Sequence, residues 1–169
     1  MKQLIFVVET NAINKSDDRY INKLISVRYD LSSNEIKKQF VHMCGKCNYK
    51  AKSTITKIKE YIRENKHGEN HVIYCFDTDR IDCIQEEKER FSNEKQFCES
   101  NGYLLIWFTY NIEYVLLGQN VDSERKKQES MKFYDAKTIE IPIKKLFGSR
   151  ANKIKISIHT SKPGFVIGK

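Results

Sequence analysis

Residues 72–79 have the sequence VIYCFDTD, in which five consecutive apolar residues are followed directly by Asp77 and, two residues later, Asp79. A short continuous apolar run of this kind predicts a strand that is buried on both faces of a sheet. Two further runs have the same form, LIFVV at residues 4–8 and LLIWF at residues 104–108. Glu9 follows the first of them, so two predicted buried strands end at an acidic side chain.

Segments with helical patterns separate these apolar runs. Ile55, Ile58 and Ile62 recur at helical spacing within residues 50–64, and Asn101-Gly102 is a typical stop for a helix predicted over residues 81–100. A further strand is predicted at residues 40–43 and a short apolar helix at residues 112–117. Strands that alternate with helices predict an α/β fold whose sheet is mostly parallel and has helices on both faces.

The length of 169 residues suits a single domain. We expect a core over residues 1–120 and a basic C-terminal extension over residues 121–169 that packs on it. The formal net charge is +8, and residues 137–169 contain eight basic residues against a single acidic one, a net charge of +7. A basic surplus favours nucleic acid as a partner, although an ordinary basic protein has the same charge pattern.

Two further properties concern the compartment. No apolar run approaches the roughly 18 residues that a membrane span requires, and the N-terminus lacks the pattern of a signal peptide. The five cysteines are an odd number, which favours free thiols in a reducing compartment. We therefore expect a cytoplasmic protein that has no membrane partner.

The acidic residues at the strand ends are the strongest functional signal. In a parallel sheet, ligands bind beyond the carboxyl ends of the strands, so Glu9, Asp77 and Asp79 are expected at one rim. Three carboxylates so close together favour a bound cation, and hard oxygen ligands suit Mg²⁺ or Mn²⁺. Asp82 is a further candidate ligand. The alternative is that Asp77 and Asp79 cap the following helix and that Asp82 is a first-turn charge.

The order of these residues resembles the Toprim domains of topoisomerases, primases and several nucleases. Glu9 closes the first strand and Asp77-x-Asp79 closes a later one, as in that family. The chain is most similar to the RloB-like and OLD-type nucleases, in which the next strand leads to an Asn, an acidic residue and an apolar helix. Here these are Asn111 and Glu113 before residues 114–117, so the resemblance covers about residues 1–120.

This resemblance implies metal-dependent hydrolysis of phosphodiester bonds in DNA or RNA, with a role in defence against mobile elements. It implies that Glu9, Asp77 and Asp79 hold the metal ions, although Glu9 has the alternative role of general base. Asn111 and Glu113 would orient the substrate or support the metal ligands. The chain departs from the Toprim pattern after Glu9, where the family normally has Gly and this sequence has Thr10.

Basic residues supply candidate nucleic-acid contacts in two places. Lys46, Lys50 and Lys52 lie near the start of the helix predicted at residues 50–64, where they would track phosphates or form a solvated helix face. The basic extension adds Lys144, Lys145 and Arg150. A non-catalytic nucleic-acid-binding protein on the same fold is therefore the main alternative to a nuclease. A partner protein and a homo-oligomer both stay open.

Cysteine and histidine spacing leaves a third hypothesis. Cys44-x-x-Cys47 is followed by His67-x-x-x-His71, and both half-motifs have the spacing of zinc ligands. The intervening segment is longer than usual and contains the predicted amphipathic helix. A zinc-dependent regulator is thus open beside the more ordinary interpretation, a turn at Gly45-Lys46 with Cys44 packed as a small apolar side chain.

Overall fold

The computed structural model describes residues 1–28, 36–79, 81 and 83–136. Its strands are β1 (Lys2–Val8), β2 (Ile36–His42), β3 (Glu69–Asp77) and β4 (Leu104–Phe108). They form one sheet in the order β2-β1-β3-β4, and every neighbouring pair is parallel. The prediction of an α/β fold with a parallel sheet is confirmed.

Five α-helices connect or follow these strands in the described part of the chain. They are α1 (Ser16–Arg28), α2 (Lys52–Glu64), α3 (Gln85–Asn101), α4 (Ile112–Leu117) and α5 (Lys126–Asp135), and a short 3₁₀ turn covers Lys46–Asn48. Within the described ranges, no helix is long and apolar enough to cross a membrane.

Helices cover both faces of the sheet, which explains the continuous apolar runs. Successive strand residues point to opposite faces, so Val7 packs with Ile58 of α2 while Val8 packs with Tyr20 of α1. The same alternation in β3 sends Tyr74 to one core and Cys75 to the other. Because both faces are buried, neither side of β1 or β3 tolerates a polar stripe.

Two elements extend beyond their sequence predictions. The strand predicted at residues 40–43 spans Ile36–His42, and its polar residues Lys37 to Gln39 are tolerated because β2 lies at the edge of the sheet. Residues 121–169 are predicted from the sequence only as a basic extension, and the structure shows that this segment contains α5. This helix packs against α1 through Phe133, whose ring lies 5.1 Å from that of Tyr20. The rest of the predicted extension, residues 137–169, lies outside the described residues.

Candidate metal centre

Glu9 and Asp77 meet at the carboxyl rim of the sheet because β1 and β3 are neighbours. The backbone N–H of Asp77 donates a hydrogen bond of 2.9 Å to Oε1 of Glu9. Both residues line a cleft of about 360 Å³, together with Asp17 and Lys126. We call this the rim cleft. It lies beyond the strand ends, where ligands of parallel α/β sheets bind.

The acidic groups of the rim cleft are held in an environment that disfavours their charge. Burial raises the pKa of Glu9 to about 7, and the charge of Asp79 adds to the rise. Burial, and then the charge of Glu9, raises the pKa of Asp77 well above its usual range. The pKa of Asp17 is raised to about 6 by burial and by the charge of Glu113. A divalent cation would favour the ionised form of all these carboxylates.

Asp17 is a site residue that sequence reasoning missed. Asp17 lies in the first turn of α1, where an acidic residue usually serves as a favourable first-turn charge. It also lines the rim cleft, and its Oδ2 accepts a 3.3 Å hydrogen bond from the N–H of Thr10. The order of strands and helices along the chain contains the information that places Asp17 at this rim. The helix that follows a strand of a parallel sheet begins at the carboxyl rim, so an acidic residue in its first turn lies close to Glu9.

Asp79 lies beside the rim cleft, where its carboxylate forms an ion pair with a lysine. It lies in the turn after β3 with φ +48°, and its N–H donates to the carbonyl of Tyr110 at 2.8 Å. Its carboxylate forms an ion pair with Lys46, which also contacts Glu87 at 3.0 Å. The charge of Asp79 is therefore balanced by a lysine in this structure, and its role as a metal ligand stays a prediction.

Several charged side chains of α3 lie close to Asp79. Arg90 forms an ion pair with Glu87 and lies 3.4 Å from the carboxylate of Glu94. Glu94 is fully buried, and its burial raises its pKa to about 8. Two cations and three carboxyl groups thus form a cluster next to the rim cleft. Lys46 pairs directly with Asp79, and the guanidinium of Arg90 lies 4.0 Å from the same carboxylate.

Asn111 is the N-cap of α4 and Glu113 lies in its first turn, and the start of this helix faces Asp77. The side chain of Asn111 caps this helix by accepting a 2.7 Å hydrogen bond from the N–H of Tyr114. The N–H of Ile112 donates to Oδ1 of Asp77 at 3.1 Å, so the first turn of α4 orients that carboxylate. Glu113 is fully buried and forms an ion pair with Lys126 at 3.4 Å. Asn111 thus has a structural role, and Glu113 anchors a lysine that lines the rim cleft.

Backbone strain is concentrated at the same rim. Among the residues that the structure describes, four non-glycine residues have a left-handed φ, and one of them lies in the loop after each strand: Lys15, Cys44, Asp79 and Tyr110. Such conformations are uncommon for residues other than Gly, Asn and Asp, and they cluster at functional sites. Three of the four, Lys15, Cys44 and Tyr110, are not acidic, and they lie at the same carboxyl rim as Glu9 and Asp77.

The donor set fits a hard cation better than a soft one. Within the ranges that the structure describes, no group of three or more His, Cys, Asp or Glu side chains has the arrangement of a complete metal site. Glu9, Asp17 and Asp77 line the rim cleft without forming such a group, and carboxylate oxygens are the kind of ligand that Mg²⁺ and Mn²⁺ prefer. Asp82 lies outside the described residues.

The four zinc candidates do not come together. Cys44 and Cys47 follow the end of β2, whereas His67 precedes β3 and His71 lies near its start. The strands β2 and β3 run parallel on either side of β1, so their starts lie at one rim of the sheet and their ends at the other. The cysteines therefore lie at the carboxyl rim and the histidines at the opposite rim. Their registers on β1 separate the two pairs by at least four strand positions, about 13 Å. A single zinc ion cannot bind all four side chains in this fold.

Of the three predicted nucleic-acid contacts that the structure describes, two already interact with other side chains. Lys46 is engaged by Asp79 and Glu87, and the ammonium of Lys50 lies 5.6 Å above the ring of Tyr49. Lys52 is exposed at the start of α2. The remaining three predicted contacts, Lys144, Lys145 and Arg150, lie outside the described residues.

The fold and the rim cleft define an α/β protein with a parallel sheet and an acidic cluster at its carboxyl rim. Comparisons with protein-family models, curated proteins and solved structures found no match to this chain.

Proposed function

We propose that this protein is a nuclease that hydrolyses phosphodiester bonds of DNA or RNA with Mg²⁺ or Mn²⁺. The observation that carries the proposal is the hydrogen bond from the backbone N–H of Asp77 to the carboxylate of Glu9. These two half-buried acidic residues lie at the ends of neighbouring strands and line one cleft at the carboxyl rim. Burial is the main cause of their raised pKa values, and a cation bound in the cleft would favour their ionised forms. The net charge of +8 favours a polyanionic substrate.

The roles of the residues follow from their surroundings. Glu9 and Asp77 would hold the metal, with Asp17 at the same cleft as a third oxygen donor. The N–H of Ile112 keeps the Asp77 carboxylate in place, and Lys126 adds a positive charge where the phosphate would lie. A divalent ion, when bound, polarises a phosphoryl oxygen and lowers the pKa of a bound water.

Asp79 would join this site after Lys46 moves away from its carboxylate. The ammonium of Lys46 and a divalent metal ion are alternative cations for the same oxygen atoms, so they compete. Once displaced, Lys46 would be available to contact a phosphate of the substrate. In this scheme the chain acts as a Toprim-type nuclease of the RloB-like and OLD-type branch, in the cytoplasm and in defence against mobile elements.

The test is a cleavage assay on the full-length chain. Labelled single-stranded and double-stranded DNA and RNA are incubated with Mg²⁺ or Mn²⁺, and parallel reactions contain EDTA. We expect metal-dependent cleavage that falls by a factor of about 100 or more in Asp77→Asn, because an ion ligand is lost. Asp135→Asn is the matched control, since Asp135 is an exposed residue at the end of α5. Equal cleavage by Asp77→Asn and wild type would refute the assignment.

A non-catalytic nucleic-acid-binding protein is the second candidate. The pairing of Asp79 with Lys46 and the capping role of Asn111 favour it, because both leave predicted catalytic residues in structural roles. It predicts nucleic-acid binding that is unaffected by EDTA, and no cleavage with either metal. The same assay therefore separates the two candidates.

A further inference from the structure

Tyr110 is an exposed aromatic residue at the carboxyl rim that the proposed metal centre does not use. Its side chain is 41% exposed, and its ring packs edge to face on Tyr114, with the ring centroids 4.9 Å apart. It lies in the loop between β4 and α4. The two tyrosines present aromatic surface at the edge of the sheet that carries Glu9 and Asp77.

The backbone of Tyr110 is fixed to the turn that carries the acidic residues. Its N–H donates to Oγ1 of Thr78 at 3.0 Å, and its carbonyl accepts the N–H of Asp79 at 2.8 Å. Two residues further along, the N–H of Ile112 donates to the carboxylate of Asp77. A ligand that contacts Tyr110 is therefore held next to the residues after β3.

The conformation of Tyr110 is unfavourable for its residue type. Its φ is +63°, a region that Gly and Asn adopt readily and that a large side chain adopts at a cost in free energy. Its partial exposure means that burial in the core does not offset this cost in full. Strain of this kind is typical of positions where the side chain has a function.

We propose that Tyr110, supported by Tyr114, is a stacking platform for an unpaired nucleobase and makes single-stranded nucleic acid the preferred substrate. This inference rests on the proposed function. Aromatic rings stack on the faces of bases, and in a duplex the neighbouring base pairs cover those faces. The net charge of +8 favours the polyanionic strand that carries the base. A base stacked on Tyr110 would bring its strand to the side of the rim where Asp79 lies.

The experiment measures binding in EDTA, where metal-dependent cleavage does not occur. Fluorescence anisotropy follows the titration of the full-length chain into labelled oligo-dT, oligo-rU and duplex DNA, each about 12 nucleotides long. Tyr110→Leu should weaken binding of the single strands roughly 5- to 100-fold, because stacking on the ring is lost. Tyr110→Trp should stay within about threefold of wild type, because a larger aromatic ring also stacks on bases. Comparison of oligo-dT with oligo-rU shows whether the platform accepts DNA, RNA or both.

Two controls keep the outcome decisive. Tyr134→Leu removes a tyrosine of similar exposure, 48%, from α5 and should leave binding unchanged. Tyr110→Asn removes the ring and suits the left-handed φ, so it replaces Tyr110→Leu if that variant is unfolded. Single-strand binding that is unchanged in the folded variant without the ring would overturn the platform. Equal losses of affinity for duplex and single strands would also overturn it. The same holds if the variant without the ring loses self-association of the protein but keeps its affinity for single strands.

The platform and the nuclease can fail separately. If wild type cleaves nucleic acid but binds single strands independently of Tyr110, the platform is wrong and the nuclease stands. If binding depends on Tyr110 but no metal supports cleavage, the nuclease is wrong and the protein binds single strands without cutting them.

Discussion

Replacement of Glu9 by Gln tests whether the acidic cluster destabilises the metal-free protein. The pKa of Glu9 rises from its ordinary 4.5 to about 7, chiefly because the carboxyl group is buried. Each pKa unit corresponds to about 1.4 kcal/mol, so the rise corresponds to at most about 3.5 kcal/mol. Because the folded protein holds this proton more tightly than the unfolded chain does, the stabilisation is fully present below pH 4.5. It is lost as the pH rises through about 7.

Glu9→Gln should remove this pH dependence and little else. The Oε1 atom of Gln still accepts a hydrogen bond from the N–H of Asp77, and Gln is nearly isosteric with Glu. In EDTA the variant should match wild type near pH 4.5 and exceed it by up to about 3.5 kcal/mol at pH 8. Urea unfolding at both pH values measures the difference. Glu64→Gln, at an exposed residue of α2, should change stability by no more than about 0.5 kcal/mol at either pH. A Glu9→Gln variant that is less stable than wild type at pH 8 would refute the reasoning.

Three further substitutions test the surroundings of the site. Asn111→Ala should lower stability by about 1 kcal/mol through loss of the helix cap, measured by urea unfolding, and Asn111→Asp should preserve both stability and cleavage. A loss of cleavage in Asn111→Asp would show that the amide has a role beyond capping. Lys126→Met should cost about 2 kcal/mol at pH 7 because the buried Glu113 loses its cation, and an unchanged unfolding midpoint would contradict this. Lys46→Met should tighten Mn²⁺ binding severalfold, measured by calorimetry, because no ammonium then competes for Asp79; weaker binding would count against competition.

The fold was largely predictable because its strongest signals are local. Each of the three continuous apolar runs is a strand, since a strand covered on both faces requires apolar residues at every position. The short helix at residues 112–117 was also predicted, and the structure confirms it. What remained open was α5, whose ten residues are mostly polar although the helix packs on α1 through the buried residues Ser130 and Phe133.

The position of the site was predictable from the sequence, whereas the ion pairs that its residues form were less so. Strand order places Glu9 beside Asp77, as the rule for parallel sheets predicts. The pairing of Asp79 with Lys46 could not be read from the sequence, because it depends on how the loops after β2 and β3 approach each other. Asp17 was missed for a different reason. The order of elements places it at the rim, but a first-turn acid has the same sequence pattern whether it caps a helix or lines a cleft.

The most direct test of the central claim is the thermal stabilisation of the protein by Mn²⁺. At a metal concentration about 100 times Kd, binding to the folded state adds about 2.7 kcal/mol, which raises the Tm of a protein of this size by roughly 5–10 °C. Wild type and Asp135→Asn should show this rise, and Asp77→Asn should show almost none, because it lacks a ligand of the metal centre. A rise in Asp77→Asn equal to that of wild type, or no rise in wild type, would contradict a metal centre at Glu9 and Asp77.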